Sequence, residues 1–491
     1  MSKFNKKIEK ATKTTSYEGG EVYEKNPVED WINFLMSSYL EDQFYESASD
    51  QMNRYMDLTR EVAEKYGWEF VAKAAFFSRQ ELGMRSISEF TAAILNGQKF
   101  DNKRAFFRNY FKRPDGVAEV FSLLDNFIGD KRSHALVRGA GDYLSSLGDY
   151  QIGKYKMKGK EYNMYDLINI THAHSAAIDK YKAGTLEAPD TWEVNISGAV
   201  DQVERDYHWR KMVEEGRLGY LALIRNLRNI TKAEGIDQKW VDKYLVPQLT
   251  NGAAIKKSMV FPYQIYCAYK NIGIRNTSIN AALDKAFNIA CGNMPQMDGD
   301  TVVILDVSGS MENKLSSNSS LTLKEVGAVY AAAMLINTDA DFIKFGNDAK
   351  KMKFNPLENV FDIIAKMCSN DRCGYGTDIG PAFNLLDKQY DRIFLVSDMQ
   401  IMTNNGPVRY WGCYSGRQSG IETYNGYCKA YKCHPHMYSF DLANYSTQVE
   451  NPNNPRIHLL TALNDTLFKM LPYIENGNSL VDYINNNFSY C

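Results

Sequence analysis

Residues Thr301 to Met311, TVVILDVSGSM, constrain the fold more than any other stretch of this 491-residue chain. Thr301 to Leu305 are apolar or β-branched without interruption, the pattern of a short strand buried on both faces of a parallel sheet. Asp306, Ser308 and Ser310 follow at every second position, and Gly309 leaves room in the turn. In open α/β sheets ligands sit outside the carboxyl ends of the strands, so a carboxylate and two hydroxyls there converge on one point. All three are hard oxygen donors, which suits one divalent cation, Mg²⁺ first, that keeps part of its water shell.

The rhythm of the chain changes just before this stretch. Residues 1–27 are polar and predict a flexible N-terminal arm. From Val28 to about Cys291 helix follows helix: Asp57 to Gln80, Ser86 to Leu95, Val117 to Ile128 and Tyr207 to Ile230 all carry apolar residues at three- and four-residue spacing. Short turns at Gly97, Pro114 with Gly116, Gly148, Gly184 and Gly235 separate them. That succession predicts an all-α, HEAT-like array of stacked helix pairs over 28–291, with a plain helical bundle as the alternative.

Residues 292–300 form a short linker. Strands then alternate with helices: strands at Thr301–Asp306, Asp341–Phe345, Lys350–Phe354, Arg392–Ser397, Met437–Leu442 and Ile457–Thr461, and helices at Thr322–Asn337, Pro356–Cys368, Ile379–Lys388, Gly420–Lys432, Asp465–Ile474 and Ser479–Asn487. Such alternation predicts an α/β doubly wound, mostly parallel sheet over 301–491. The chain as a whole is multidomain, as its length requires.

Composition excludes some classes. Hydrophobic content of 44% and charged content of 24% are those of a globular protein, and no apolar run is long enough to span a bilayer. Eight sparse cysteines point to a reducing cytoplasm. Cys428, Cys433, His434 and His436 have a spacing too loose for a structural zinc site.

A net charge of −2 argues against a protein coated in nucleic acid, but the charge is unevenly spread. Met1 to Gln98 carries 12 basic against 16 acidic residues, whereas Lys99 to Ala290 carries 29 against 22. The basic residues cluster as Lys99, Lys103, Arg104, Arg108, Lys112 and Arg113, then as Lys131, Arg132, Arg138, Lys154, Lys156, Lys158 and Lys160. A charge run is ordinarily a solvated face. With Phe106, Phe107, Tyr110, Phe111 and Tyr155 interleaved, these clusters also fit a nucleic-acid surface, where cations neutralise phosphate and rings stack on bases.

Two further loops belong at the strand edge already described. GYGTDI, Gly374 to Ile379, offers Thr377, and RIFLVSDMQ, Arg392 to Gln400, delivers Asp398 from the end of a strand. Asp306, Ser308, Ser310, Thr377 and Asp398 thus form an oxygen set drawn from three loops; the bland alternative is that they cap a turn and helices. The set resembles the metal-ion-dependent adhesion site of von Willebrand factor A domains, and the likeness covers roughly Thr301 to Cys491. It implies that a partner's carboxylate completes the ion's coordination. No His or Glu stands nearby as a general base and no Lys completes a phosphate loop, so catalysis is not expected; Lewis-acid phosphoryl transfer is the remaining catalytic alternative.

A helical array ahead of such a domain resembles the Ro autoantigen family, whose TROVE module is a helical-repeat ring that binds RNA. The likeness is carried by Trp31–Leu40 with Phe44 and Tyr45, by KAAFFSRQELGMRSISEFTAAIL (Lys73–Leu95), by YDLINITHAHS (Tyr165–Ser175), by LALIRNLRNI (Leu221–Ile230) and by FPYQIYCAY (Phe261–Tyr269). It implies binding of small noncoding, Y-like RNA and of single-stranded ends of misfolded RNA, with no membrane or DNA role, in RNA quality control or as a scaffold for an exoribonuclease or other protein partner. His172 matches the histidine of the family's Ser-His element, and Arg225 the arginine of its Arg-Asn-Leu element. Asn169 stands where the family has a basic residue, and His174 and Ser175 replace its Lys-Pro.

The expected RNA-contacting residues are therefore Arg132, Arg138, Lys154, Lys156, Lys158, Lys160, His172 and Arg225. For His172 a satisfied core histidine, and for Arg225 an internal ion pair, are equally open readings. Two rivals to the RNA function are a protein-interaction adaptor that uses the metal site to grip a carboxylate, and a divalent-metal nuclease.

Overall fold

The computed structural model describes residues 11–37, 40, 46–155, 157, 159–187, 191–272, 276–294, 297–316, 319–355, 357–402, 408–410, 413–415, 420–445, 447–460, 471–472, 474–475 and 479–491. The chain divides into two compact units. One comprises Met1–Asn33, Glu41–Ala48 and Trp209–Gly477, and the other Phe34–Leu40, Ser49–His208 and Asn478–Cys491. Among the described residues no helix is long and apolar enough to cross a membrane.

The second unit is helical, with helices including Trp68–Gln80, Ser86–Asn96, Lys103–Tyr110, His134–Ser145, Asp149–Lys154, Met164–Thr171 and Ala176–Ala183. Phe34, Tyr55, Phe70, Phe77, Phe90, Phe106, Phe107, Tyr110 and Phe121 are its largest buried side chains. The stretch expected as one helix from Asp57 is two, Ala48–Tyr66 and Trp68–Gln80, because Gly67 takes a φ of +83° between them. The last helix, Leu480–Asn487, belongs to this unit and not to the α/β domain in which the strand–helix rhythm had placed it. Phe488 packs 4.6 Å from Phe77, and Tyr490 lies edge-on to Phe106 at 5.4 Å. Aromatic burial thus overrides sequence order.

The first unit contains the strands β1 (Lys13–Thr15), β2 (Glu21–Glu24), β3 (Thr301–Asp306), β4 (Asp341–Phe345), β5 (Ala349–Met352), β6 (Arg392–Ser397), β7 (Val408–Tyr410), β8 (Cys413–Ser415), β9 (His436–Asp441), β10 (Thr447–Gln448) and β11 (Ile457–Leu460). Six of them form a sheet in the order β11-β9-β6-β3-β4-β5, parallel throughout except for β5 at the edge. β3 and β6 are buried along their whole length, as a sheet covered on both faces demands. Val302 and Ile304 join a core with Phe383, Tyr424 and Tyr427 on one side. On the other, helix Leu323–Thr338 comes so close that a Cβ at Gly327 would stand 2.6 Å from Leu305 Cδ1. The expected strand edges hold within one or two residues; most of the expected helix Asp465–Ile474 lies outside the described residues.

Two boundaries differ from the sequence reading. Within the segment expected as a loose arm, residues 13–24 form the β1–β2 hairpin, and β2 pairs with β10 through Thr447 opposite Glu24. Val22 is wholly buried in the core of the parallel sheet, which explains why this polar segment is ordered. The helices from residue 209 to Cys291 cluster with the sheet rather than with the other helices. Tyr269 stacks on Phe361 at 3.9 Å and Asp284 Oδ1 accepts from Val360 N at 2.7 Å, so side-chain contact outweighs similarity of secondary structure. The expected helix Tyr207–Ile230 is broken at Gly216, φ +64°, and again at Asn226, giving Gln202–Glu214, Tyr220–Arg225 and Leu227–Lys232.

Candidate functional site

The carboxyl ends of β3, β6 and β9 are neighbours in the sheet, and they carry Asp306, Ser397 with Asp398, and Asp441. Asp306 is wholly buried; Oδ1 accepts from Ser308 N at 2.8 Å and Oδ2 from Ser397 Oγ at 2.6 Å. Ser308 Oγ lies 3.3 Å from Ser310 Oγ, and the Ser310 hydroxyl in turn bonds Asp398. Asp398 Oδ1 accepts from Gln400 N at 3.1 Å. Four of the five expected oxygen residues are therefore linked side by side.

Thr377 is buried in the loop beside them. That loop is held by Gly309 N donating to Tyr375 O at 2.8 Å and by Asp378 N donating to Gly346 O at 2.8 Å. A Cβ at Gly346 would stand 2.4 Å from Gly374 O, so only glycine admits the loop to the end of β4. Among the described residues no hydrogen bond joins the Thr377 hydroxyl to the other four side chains.

The electrostatics of this edge are unusual. Burial pushes the Asp306 carboxyl up from its ordinary range, against hydrogen bonds from Ser397 and Ser308. Burial and then the charge of Asp306 push Asp398 up as well. Among the described residues neither carboxylate has a Lys or Arg ion-pair partner, and the ammonium of Lys324 is engaged by Glu312. Two buried, mutually repelling carboxylates without an ion-paired cation are costly unless an ion is supplied, although the nearby Lys324 charge eases Asp306. The hard oxygens present fit a Mg²⁺-like ion. Among the described residues, this edge included, no group of three or more His, Cys, Asp or Glu is placed to hold a metal ion, so hydroxyls would have to complete the set. His436 instead places Nδ1 2.9 Å from His458 Nε2.

Sequence reasoning assigned no role to Ser397, although it lies within the quoted strand. Lys25 and Asp441 carried no signal at all, since 416 positions separate them.

The expected RNA residues are of unequal character. His172 caps helix Met164–Thr171 with φ 54°, and its side chain is exposed, which removes the core-histidine reading. Arg225 is exposed with no ion-pair partner among the described residues, which removes the internal ion pair. Lys160 and Arg138 are exposed too. Lys154 pairs with Glu193 at 3.0 Å and lies over the ring of Tyr150 at 5.6 Å. Arg132 is engaged: it pairs with Asp125 at 2.5 Å, bonds Tyr162 and covers the Phe121 ring at 4.8 Å. Lys156 and Lys158 lie outside the described residues.

The first basic cluster is largely spent on the protein itself. Arg104 holds Asp142 through two bonds of 2.7 and 2.8 Å, Arg113 holds Asp115, and Lys103 and Lys112 donate to backbone carbonyls. Phe106, Phe107, Tyr110 and Phe111 are buried and form core, not a stacking surface.

The chain combines a helical array with a parallel sheet whose strand edge gathers oxygen side chains, and residues 151–275 match the TROVE domain. The fold is similar to that of the Ro (RSR) protein of Deinococcus radiodurans, with a TM-score of 0.63 at 14% identity, covering 92% of this chain and 100% of that one. A mutant PilB minor pilin from Streptococcus sanguinis overlaps 40% of this chain and 65% of its own at 14% identity, with a TM-score of 0.23, too slight to bear on the fold. No curated protein matches the chain in sequence. The TROVE match covers residues 151–275, and the likeness to the Deinococcus protein is one of fold.

Proposed function

We propose that this protein is an RNA-binding protein of the Ro type and not an enzyme. It takes small noncoding, Y-like RNA and the single-stranded ends of misfolded RNA, in quality control or as a scaffold for a nuclease, with its helices arranged as a ring. The observation that carries the reading is the coincidence of the TROVE match, 151–275, with exposed Lys160, His172 and Arg225. Exposed basic side chains without a base code suit an unstructured RNA end, and a duplex is read from outside through its shape and phosphates.

Asp306, Ser308, Ser310, Thr377 and Asp398 would hold one divalent cation, most simply Mg²⁺, in a von Willebrand factor A-like domain. When bound, the ion supplies an open coordination position for a carboxylate of a protein partner. Ser397 and the backbone of Ser308 orient Asp306 for that role. The seven cysteines with described side chains are all free thiols, which supports a cytoplasmic location.

The test is to isolate the protein with its RNA crosslinked and to sequence that RNA. An enriched small RNA is the expected result, and recovery of none overturns the reading. The adaptor alternative predicts little salt-dependent RNA affinity; the RNA reading predicts affinity that falls steeply with salt.

A further inference from the structure

Three buried carboxylates stand at neighbouring strand ends, Asp306 on β3, Asp398 after β6 and Asp441 on β9, and Asp441 is the cross-strand partner of Ser397. Asp441 differs from the other two in having a cation supplied by the chain. Its Oδ1 accepts from Ala443 N at 3.0 Å and Asn444 N at 2.7 Å, while Oδ2 accepts from Lys25 Nζ at 2.9 Å. The Lys25 side chain is 1% exposed and also approaches Asp30 Oδ1 at 3.3 Å and Asn444 Oδ1 at 3.4 Å.

The segment that delivers Lys25 also grips the loop that bears Asp398. Ser16 Oγ and Gly20 N both donate to Ile401 O, the latter at 3.0 Å, and Tyr17 N donates to Gln400 Oε1 at 2.9 Å. β2 is fixed to β10, and Val22 is sunk in the core of the sheet. An ammonium on a segment held this firmly is a fixed charge rather than a mobile one.

We infer that Lys25 is a positioning residue of the metal site: by holding and neutralising Asp441 it keeps that carboxylate out of the ion's coordination and leaves the strand edge with the charge of two carboxylates. The inference rests on the metal reading above. Without Lys25 a third carboxylate, close enough for its charge to act on Asp398, loses its ammonium partner. Without Asp441 the Lys25 ammonium keeps only the Asp30 carboxylate, and the strand edge becomes more positive by one charge. The two changes therefore act in opposite directions on cation affinity, because the ion feels the sign of the nearby charge. A lysine that served only to hold the fold together would weaken binding in either case.

The experiment measures Mn²⁺ alone binding to the full chain by calorimetry and by electron paramagnetic resonance of the free ion, with circular dichroism as the check on folding. Lys25→Ala is expected to tighten Mn²⁺ binding about tenfold and Asp441→Asn to weaken it about tenfold. Lys25→Ala with Asp441→Asn returns affinity to near the unsubstituted value, and Lys25→Arg preserves it. Should Lys25→Ala fail to fold, Asp441→Asn and the double variant carry the test: weakening in the first and recovery in the second support the inference. Equal weakening in every variant, or no change in any, overturns it while leaving the metal reading intact. Absence of Mn²⁺ binding by the unsubstituted chain overturns the metal reading and this inference with it.

Discussion

Ser397 Oγ donates to Asp306 Oδ2 at 2.6 Å from the neighbouring strand, and the same oxygen accepts from Met399 N at 3.0 Å. One hydroxyl thus orients the carboxylate at the end of β3 and shapes the turn that carries Asp398. Both groups are buried. Ser397→Ala leaves a buried carboxylate oxygen short of a donor, which costs about 1–3 kcal/mol. Urea unfolding should show that loss, and Ser397→Thr, which keeps the hydroxyl, should recover most of it.

Asp306→Ala should abolish binding of Mn²⁺ to the full chain while leaving RNA affinity within about twofold, because the expected RNA residues lie elsewhere. In the unsubstituted protein, Mg²⁺ at about one hundred times its dissociation constant should add about 2.7 kcal/mol to stability, reversed by EDTA. RNA cleavage lost with EDTA would instead support the nuclease alternative.

His436 and His458 stack at 5.2 Å between ring centroids with their nitrogens in contact. Burial holds both below the ordinary histidine range, His458 at about 3. A base depressed in the folded state binds fewer protons there than in the unfolded chain. The stability it contributes is fully present above about pH 6.5 and is lost as pH falls from there towards about 3. Unfolding free energy measured at several pH values across this window should fall with acid, and His458→Gln should flatten the slope.

Arg132 is expected to matter for stability rather than for RNA. Its guanidinium is engaged by Asp125, Tyr162 and the Phe121 ring. Arg132→Ala should cost about 1–2 kcal/mol in unfolding experiments. In a filter-binding assay it should leave RNA affinity nearly unchanged, in contrast to changes at Lys160, His172 and Arg225.

The sheet was legible because its strands are short apolar runs ending in polar turns, and the period of the pattern survives folding. The Asp306, Ser308 and Ser310 spacing placed those residues at one strand end without any tertiary information, and Asp398 followed from the same logic on β6. What the sequence hid was long-range. Lys25 reaches Asp441, Val22 enters the core, and Phe488 returns to Phe77; polar composition in the first case and position near the chain end in the last concealed them. The basic clusters misled because charge counts do not reveal local partners such as Asp142 for Arg104.

The most direct test compares RNA affinity for a structured small RNA with and without a single-stranded 3′ tail, over a series of salt concentrations. The tail should strengthen binding by the unsubstituted protein. Joint change of Lys160, His172 and Arg225 to alanine should remove that gain and reduce the salt slope by about 0.7 for each phosphate that is no longer neutralised. Binding that is independent of the tail and indifferent to the three substitutions would contradict the assignment of RNA capture to these residues of the TROVE segment.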